Sequence, residues 1–266
     1  MVRNVQSTSI NLDLEQVQKT KLTDNYFVEY IYHKLFDNPN YTFDQVDPTL
    51  ATWNYPLCWL ARYHLYYTMH QPMLKDANIL DIGSNLNFYS AWAILNGANH
   101  VHSFEADIER YDLGVEYIKL RGLENKISTE NCSIDDFIKN YDSSKQYDVV
   151  FFLDVLYYLN NGINVLQFIK DVIKPKFLFV ESTIVDDLTE DGHFTLWYPS
   201  TDSKKFQSYK NNPLKTGLIP SRNALFNILT SQGWKIITYY DYHNFIGHGE
   251  SPPRREGKKD FYVLEI

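Results

Sequence analysis

Cysteine is nearly absent. Two residues of this type in a chain of 266, Cys58 and Cys132, make no disulfide framework, and their wide separation gives no zinc-ligand spacing. A reducing compartment, the cytoplasm, is the economical expectation. Long apolar runs are missing too. None reaches the ~18 residues that a membrane span needs, and the polar stretch Met1–Asn11 lacks the apolar region of a secretion signal. Positive charge is not in excess: the formal net charge is −8. Global electrostatics therefore gives no support for a nucleic-acid partner, although a local basic patch can act against the average. Glycine is scarce, at 11 residues, while tyrosine is plentiful, at 21.

What is present suffices for a sizeable core: 44% of residues are hydrophobic, and the length fits one α/β domain with an added helical layer. Residues 1–75 read as a helical extension, with Tyr26, Phe27, Tyr30, Ile31 and Leu35 at helical spacing and a second aromatic segment over Tyr55–Met69. From residue 76 to 266 the rhythm becomes strand–helix alternation. Strands are predicted at 79–82, 100–104, 126–130, 148–152 and 177–182, with helices near 87–96, 108–121, 133–140 and 162–173. Ser221 caps a further helix ended by Gly233, and two more strands follow at 234–240 and 261–266. That pattern predicts a doubly wound, mostly parallel seven-stranded Rossmann-like sheet with helices on both faces and an antiparallel edge. Residues 184–219 and 241–260 read as long polar loops, of the kind that is usually functional or disordered.

The chain is organised around Asn78-Ile-Leu-Asp-Ile-Gly-Ser-Asn-Leu-Asn-Phe88. An apolar strand carrying Asp81 breaks at Gly83 and passes into a helix. The exposed N–H groups at such a helix start suit a polar ligand. In doubly wound sheets ligands sit at the C-terminal strand ends, and four polar features fall there: Asp81 and Gly83 with Ser84 and Asn85; Glu105; Ser133, Ile134 and Asp135; and Asp154 followed by Tyr157. An acid roughly 20 residues beyond the glycine turn can accept hydrogen bonds from ribose hydroxyls. Each feature alone has a plain structural reading, a turn glycine or a helix-capping acid. Their order and spacing together point to a nucleoside-cofactor site. A dinucleotide turn wants three glycines, and Gly83-Ser-Asn-Leu-Asn-Phe88 offers one, so a cofactor presenting an amino acid fits better than one presenting a diphosphate.

Leu80-Asp-Ile-Gly83, Phe104-Glu105, Cys132-Ser-Ile-Asp135 and Asp154-Val-Leu-Tyr-Tyr158 resemble the successive motifs of class I S-adenosylmethionine-dependent methyltransferases. The resemblance covers residues 78–182. It implies S-adenosyl-L-methionine as cofactor, with Asp81, Gly83, Ser84 and Asn85 around its methionine portion and Glu105 on the ribose. Ser133, Ile134 and Asp135 would then lie beside the adenine, and Asp154 under the amino group. Asn85 and Asn87 stand where that family has further glycines, and asparagine is the residue best able to replace glycine at positive φ.

The second half, with Val155-Leu-Tyr-Tyr158, Phe179-Val-Glu-Ser-Thr183 and Gly217-Leu-Ile-Pro-Ser221, resembles the bacterial enzymes that carboxymethylate wobble uridine in tRNA. That likeness implies carboxy-S-adenosylmethionine, with Tyr157 and Arg254 or Arg255 on the extra carboxylate. The Lys-Gly-Pro-Phe motif of those enzymes has no counterpart here, which makes it the second choice of cofactor. The first half is equally similar to sugar O-methyltransferases of the FkbM type.

The expected reaction is methyl transfer to an oxygen or nitrogen acceptor, on a small molecule or on tRNA. Asp154 and Glu181 are the leading bases, with His193 third, and Tyr157 stands beside them. Arg222, Arg254, Arg255, Lys258 and Lys259 form the concentrated positive charge. No metal is expected, nor a membrane partner. A non-catalytic binding module of the same fold and an NAD-dependent oxidoreductase are the competing readings.

Overall fold

The computed structural model describes residues 70–185, 191–197, 217–241 and 258–266. The helical extension read over residues 1–75 lies outside them except for the short helix α1 (Gln71–Leu74). Cys58, Arg254 and Arg255 also lie outside. The remaining elements follow in chain order: β1 (Asn78–Ile82), α2 (Phe88–Leu95), β2 (His100–Glu105), α3 (Ile108–Leu120), β3 (Ile127–Asn131), α4 (Ile134–Lys139) and β4 (Val149–Leu153). After a one-turn 3-10 helix at Leu156–Tyr158 come α5 (Gly162–Phe168), which runs into a π turn at Ile169–Ile173, and β5 (Phe177–Ile184). The chain closes with β6 (Phe194–Trp197), β7 (Gly217–Pro220), α6 (Arg222–Ser231), β8 (Lys235–Asp241) and β9 (Lys258–Glu265).

Seven strands form one sheet in the order β3-β2-β1-β4-β5-β9-β8. The first five are parallel, and β9 runs antiparallel to both β5 and β8. Strand order reverses between β1 and β4, so the crevice at their C-terminal ends is the topological switch point, where such sheets bind ligands. The predicted mixed sheet with an antiparallel edge is observed.

The sequence chemistry explains the local choices. β4 reads Val-Val-Phe-Phe-Leu and is buried along its whole length, as expected of a central strand covered on both faces. One apolar layer contains Ile79, Ala91, Trp92, Val101, Phe151 and Phe179; the opposite layer contains Leu80, Phe104, Val150, Phe152, Val165 and Leu225. The two sets alternate along each strand with the period of two that a pleated strand imposes. Helix starts are capped as polar residues before an apolar pattern should cap them. The Asp107 carboxylate accepts from the N–H groups of Glu109 and Arg110 at 3.0 and 3.2 Å. Ser221 Oγ accepts from Ala224 N–H at 3.3 Å.

The segment 184–219, read as loop, contains structure that the sequence reading missed. β5 continues to Ile184, and β6 pairs antiparallel with β7 from Phe194↔Pro220 to Trp197↔Gly217. Each of these two strands is only four residues long, too short for a visible alternation. β9 likewise begins at Lys258, inside the stretch read as the second loop.

Candidate active site

The turn after β1 is built from three residues in the left-handed region: Gly83 at φ +70°, Asn85 at +53° and Asn87 at +59°. Glycine reaches this region without penalty, and asparagine is among the least penalised alternatives. The asparagines therefore keep the backbone path that glycines would give, and Asn87 adds bonds of its own. Fully buried, its Oδ1 accepts from Ser103 Oγ at 2.5 Å, and its Nδ2 reaches Thr129 Oγ1 at 3.4 Å, tying the turn to β2 and β3. Gly114 on α3 completes the fit. A Cβ there would lie 2.6 Å from Asn87 Nδ2.

Glu105 closes β2 and lies against this turn. Its Oε2 accepts from Asn85 N–H and its Oε1 from Asp107 N–H, both at 2.9 Å. Each carboxylate oxygen keeps a further lone pair, enough to receive two vicinal hydroxyls. Asp81 sits below, 2% exposed, with Ser90 Oγ donating to its Oδ2 at 2.6 Å. Burial pushes the Asp81 carboxyl up to about 7; the Ser90 bond opposes that rise and the nearby Glu105 charge adds to it.

Ser84 is 3% exposed, and its Oγ has no hydrogen-bond partner among the described residues. A buried orphan hydroxyl in a turn at the switch point suits a polar ligand. The Gly83 backbone shares that crevice with Val155, whose Cγ2 would be 2.7 Å from a Cβ at position 83.

Across the crevice Asp154 follows β4, also left-handed at φ +60°. Its N–H donates to Glu181 O at 2.9 Å. Strain of this kind at a strand end is typical of functional positions. The side chains of Asp154 and Glu181, separate candidates by sequence, are joined here by Lys259. The Lys259 ammonium bonds Asp154 Oδ2 and lies 3.4 Å from Glu181 Oε1. Lys259 is thus no loop charge. It sits in β9 opposite Thr183 of β5. Tyr157 stands beside this group in hydrogen bonds with Tyr158 and Thr183; burial first, then the Asp154 charge, push its phenol well above the ordinary tyrosine range.

After β3, Ser133 caps α4, accepting from Asp136 N–H at 3.1 Å and donating to Asp136 Oδ2 at 2.7 Å. Ile134 is buried. Asp135 is exposed and accepts from Asn161 Nδ2 at 2.9 Å. The β1, β2 and β4 candidates therefore lie at the C-terminal ends of neighbouring strands, and α4 starts after β3 at the same end of the sheet. Arg222 is not solvated either. It makes a two-pronged pair, at 2.9 and 2.8 Å, with the fully buried Asp260, whose oxygens also receive Tyr239 and Tyr262. His193 donates its N–H to Ser221 Oγ at 3.1 Å, at the base of the β6–β7 ribbon.

A separate recess under α4 is lined by His102, Glu130, Cys132, Phe137, Tyr141 and Lys145. His102 and Asp81 point to opposite faces of the sheet by alternation. Burial pushes the Cys132 thiol up to about 11, which removes it as a nucleophile at neutral pH.

Solved structures share this topology. One is the N-terminal domain of EvdMO1 with S-adenosylhomocysteine and D-fucose, at TM-score 0.52 and 11% identity over 91% of this chain and 96% of that one. Another is an S-adenosylmethionine-dependent methyltransferase from Mesorhizobium loti, at TM-score 0.50 and 11% identity over 79% and 100%. The chain has the fold of the S-adenosylmethionine-dependent methyltransferases. A [4+2]-cyclase, SpnF, has the same methyltransferase fold, at TM-score 0.52 and 11% identity over 77% and 81%, so the fold alone does not fix the reaction. No family model matches the chain. By sequence it is similar to the tRNA U34 carboxymethyltransferase of Helicobacter pylori, 23% identical over 194 residues, which is 72% of this chain and 66% of that protein. The chain therefore spans just under two thirds of the length of the curated relatives it matches. Among the described residues no helix is long and apolar enough to cross a membrane.

Proposed function

We propose that this methyltransferase fold transfers a methyl group from S-adenosyl-L-methionine to an oxygen or nitrogen acceptor. The observation that carries the reading is the Gly83–Asn87 turn held against Glu105, with the Ser84 hydroxyl buried beside it and without a hydrogen-bond partner among the described residues. In this reading Glu105 holds the ribose hydroxyls. Asp81, Gly83, Ser84 and Asn85 surround the methionine portion, Asp154 takes its ammonium, and Ser133, Ile134 and Asp135 flank the adenine. When bound, the sulfonium supplies an activated methyl group with a good leaving group. The protein's own work is to position the acceptor in line and to exclude water.

Of the two candidate bases, Asp154 is engaged with the ammonium in this reading, which leaves Glu181 to take an acceptor proton. Tyr157, kept protonated, serves as a hydrogen-bond donor in the same crevice. The chain meets the resemblance to wobble-uridine enzymes in the Helicobacter pylori relatives, which supports tRNA as the acceptor to test first and carboxy-S-adenosylmethionine as the alternative cofactor. A cytoplasmic location agrees with that substrate.

Isothermal titration with S-adenosylmethionine and S-adenosylhomocysteine tests the cofactor. Binding of both, with most affinity lost in Glu105→Ala, is the expected result, and failure of either ligand to bind refutes the reading. Transfer of labelled methyl groups into total tRNA or into a small-metabolite pool then separates the acceptor classes. Binding without transfer to either pool would favour a non-catalytic cofactor-binding module.

A further inference from the structure

We propose that the Ser84 hydroxyl recognises the carboxylate of the cofactor's amino-acid end, a task that the backbone amides around it are not placed to do. The proposal rests on the cofactor reading above and deepens it.

The turn engages its amides internally. Gly83 N–H and Ser84 N–H both donate to Phe104 O at 3.0 Å, and Asn87 N–H donates to Ser84 O at 2.9 Å. Asn85 N–H is held by Glu105 Oε2. The Asn87 side chain is committed to Ser103 and Thr129. An anion-binding turn works the other way, pointing its N–H groups at the ligand. In the cofactor reading Glu105 takes the ribose and Asp154 the ammonium. Ionised carboxylates only accept hydrogen bonds, so the ligand's own carboxylate needs a donor from elsewhere in the β1 turn. Ser84 Oγ supplies one. It is 3% exposed, and the described residues give it no hydrogen-bond partner. A buried hydroxyl left unmatched by the protein is uncommon, because it costs the fold stability. Donation to an ionised oxygen is the stronger kind of hydrogen bond, which gives this hydroxyl a role in binding that it lacks in folding.

Three probes isolate the group that Ser84 reads. S-adenosylhomocysteine carries carboxylate and ammonium, its decarboxylated analogue carries the ammonium alone, and methylthioadenosine carries neither. Isothermal titration compares wild type with Ser84→Ala. The variant should bind S-adenosylhomocysteine about tenfold more weakly, the scale of one hydrogen bond to a charged group, and the other two ligands within about twofold of wild type. Urea unfolding of the variant without ligand should keep the wild-type midpoint or exceed it, since alanine removes a buried hydroxyl that the fold leaves unmatched. A structural role for Ser84 predicts the opposite: a lower midpoint, with all three ligands weakened alike. That result overturns the proposal. Unchanged S-adenosylhomocysteine binding also overturns it and transfers the carboxylate to Leu86 N–H, the backbone donor of the turn outside the engaged set. If wild type binds neither S-adenosylhomocysteine nor methylthioadenosine, the cofactor reading itself fails and the proposal with it.

Discussion

Replacing Gly83 by alanine tests the turn at its tightest point. Two costs arise, and they are separable. The first is conformational: at φ +70° an L side chain crowds its own carbonyl, for about 1–2 kcal/mol. The second is steric. The new Cβ would lie 2.7 Å from Val155 Cγ2, and a β-branched side chain has few other rotamers to retreat to. Overpacking of that kind costs about 1–3 kcal/mol. Gly83→Ala should therefore lose about 2–5 kcal/mol, read as a lower urea midpoint at constant m-value. Val155→Ala removes only the steric part. In a double-mutant cycle the Gly83→Ala/Val155→Ala protein should recover about 1–3 kcal/mol of the predicted sum, leaving the conformational cost in place. A coupling below about 0.5 kcal/mol would show that Val155 does not press on this turn, and the proposed closeness of the β1 and β4 ends would be refuted.

Asp81 predicts a pH dependence. Its carboxyl is raised to about 7 in the folded protein against about 3.9 unfolded, so the folded state binds the extra proton between those values. Stability should fall as pH rises from about 4 to 7 and be flat above, by up to about 4 kcal/mol; Asp81→Asn should flatten that slope in urea melts recorded across the range. Asn87→Gly moves the turn toward a glycine-rich pattern yet should cost about 1–2 kcal/mol in thermal or urea unfolding, because the Ser103 bond and buried volume are lost. Asn87→Ala, which also forces alanine to positive φ, should cost more; the reverse order would remove the backbone argument. Arg222→Ala removes the two-pronged ion pair to the buried Asp260 carboxylate and should destabilise by about 3–5 kcal/mol, and a loss below about 1 kcal/mol in the same assay would assign that pair no structural weight.

The sheet and the turn were legible in the sequence because both are local. Gly83, Asn85 and Asn87 declare their backbone conformation by residue type, and the strand ends carrying Asp81, Glu105 and Asp154 follow from apolar runs with sharp polar ends. Ser133 was visible as a polar residue at a helix start, where its capping bonds are now seen. The partners of the acids were not legible. Lys259 is 105 residues from Asp154 and Arg222 is 38 from Asp260. No periodicity links such positions; only the placement of β9 between β5 and β8 brings them together. The β6–β7 ribbon escaped notice for a related reason, since its strands pair across an intervening stretch and are too short to show a pattern of their own.

The position of β9 also sets an order of assembly. This strand comes last among the described elements, yet it lies inside the sheet, with β8 outside it. During synthesis β5 must remain an open edge and β8 must wait without a neighbour until β9 emerges. The same late strand delivers Lys259 and Asp260. The Lys259 bonds to Asp154 and Glu181 and the Arg222–Asp260 pair therefore form only when the sheet closes. Closure of the sheet and formation of these ion pairs become one event, which ties maturation of the crevice to the arrival of β9 between its neighbours.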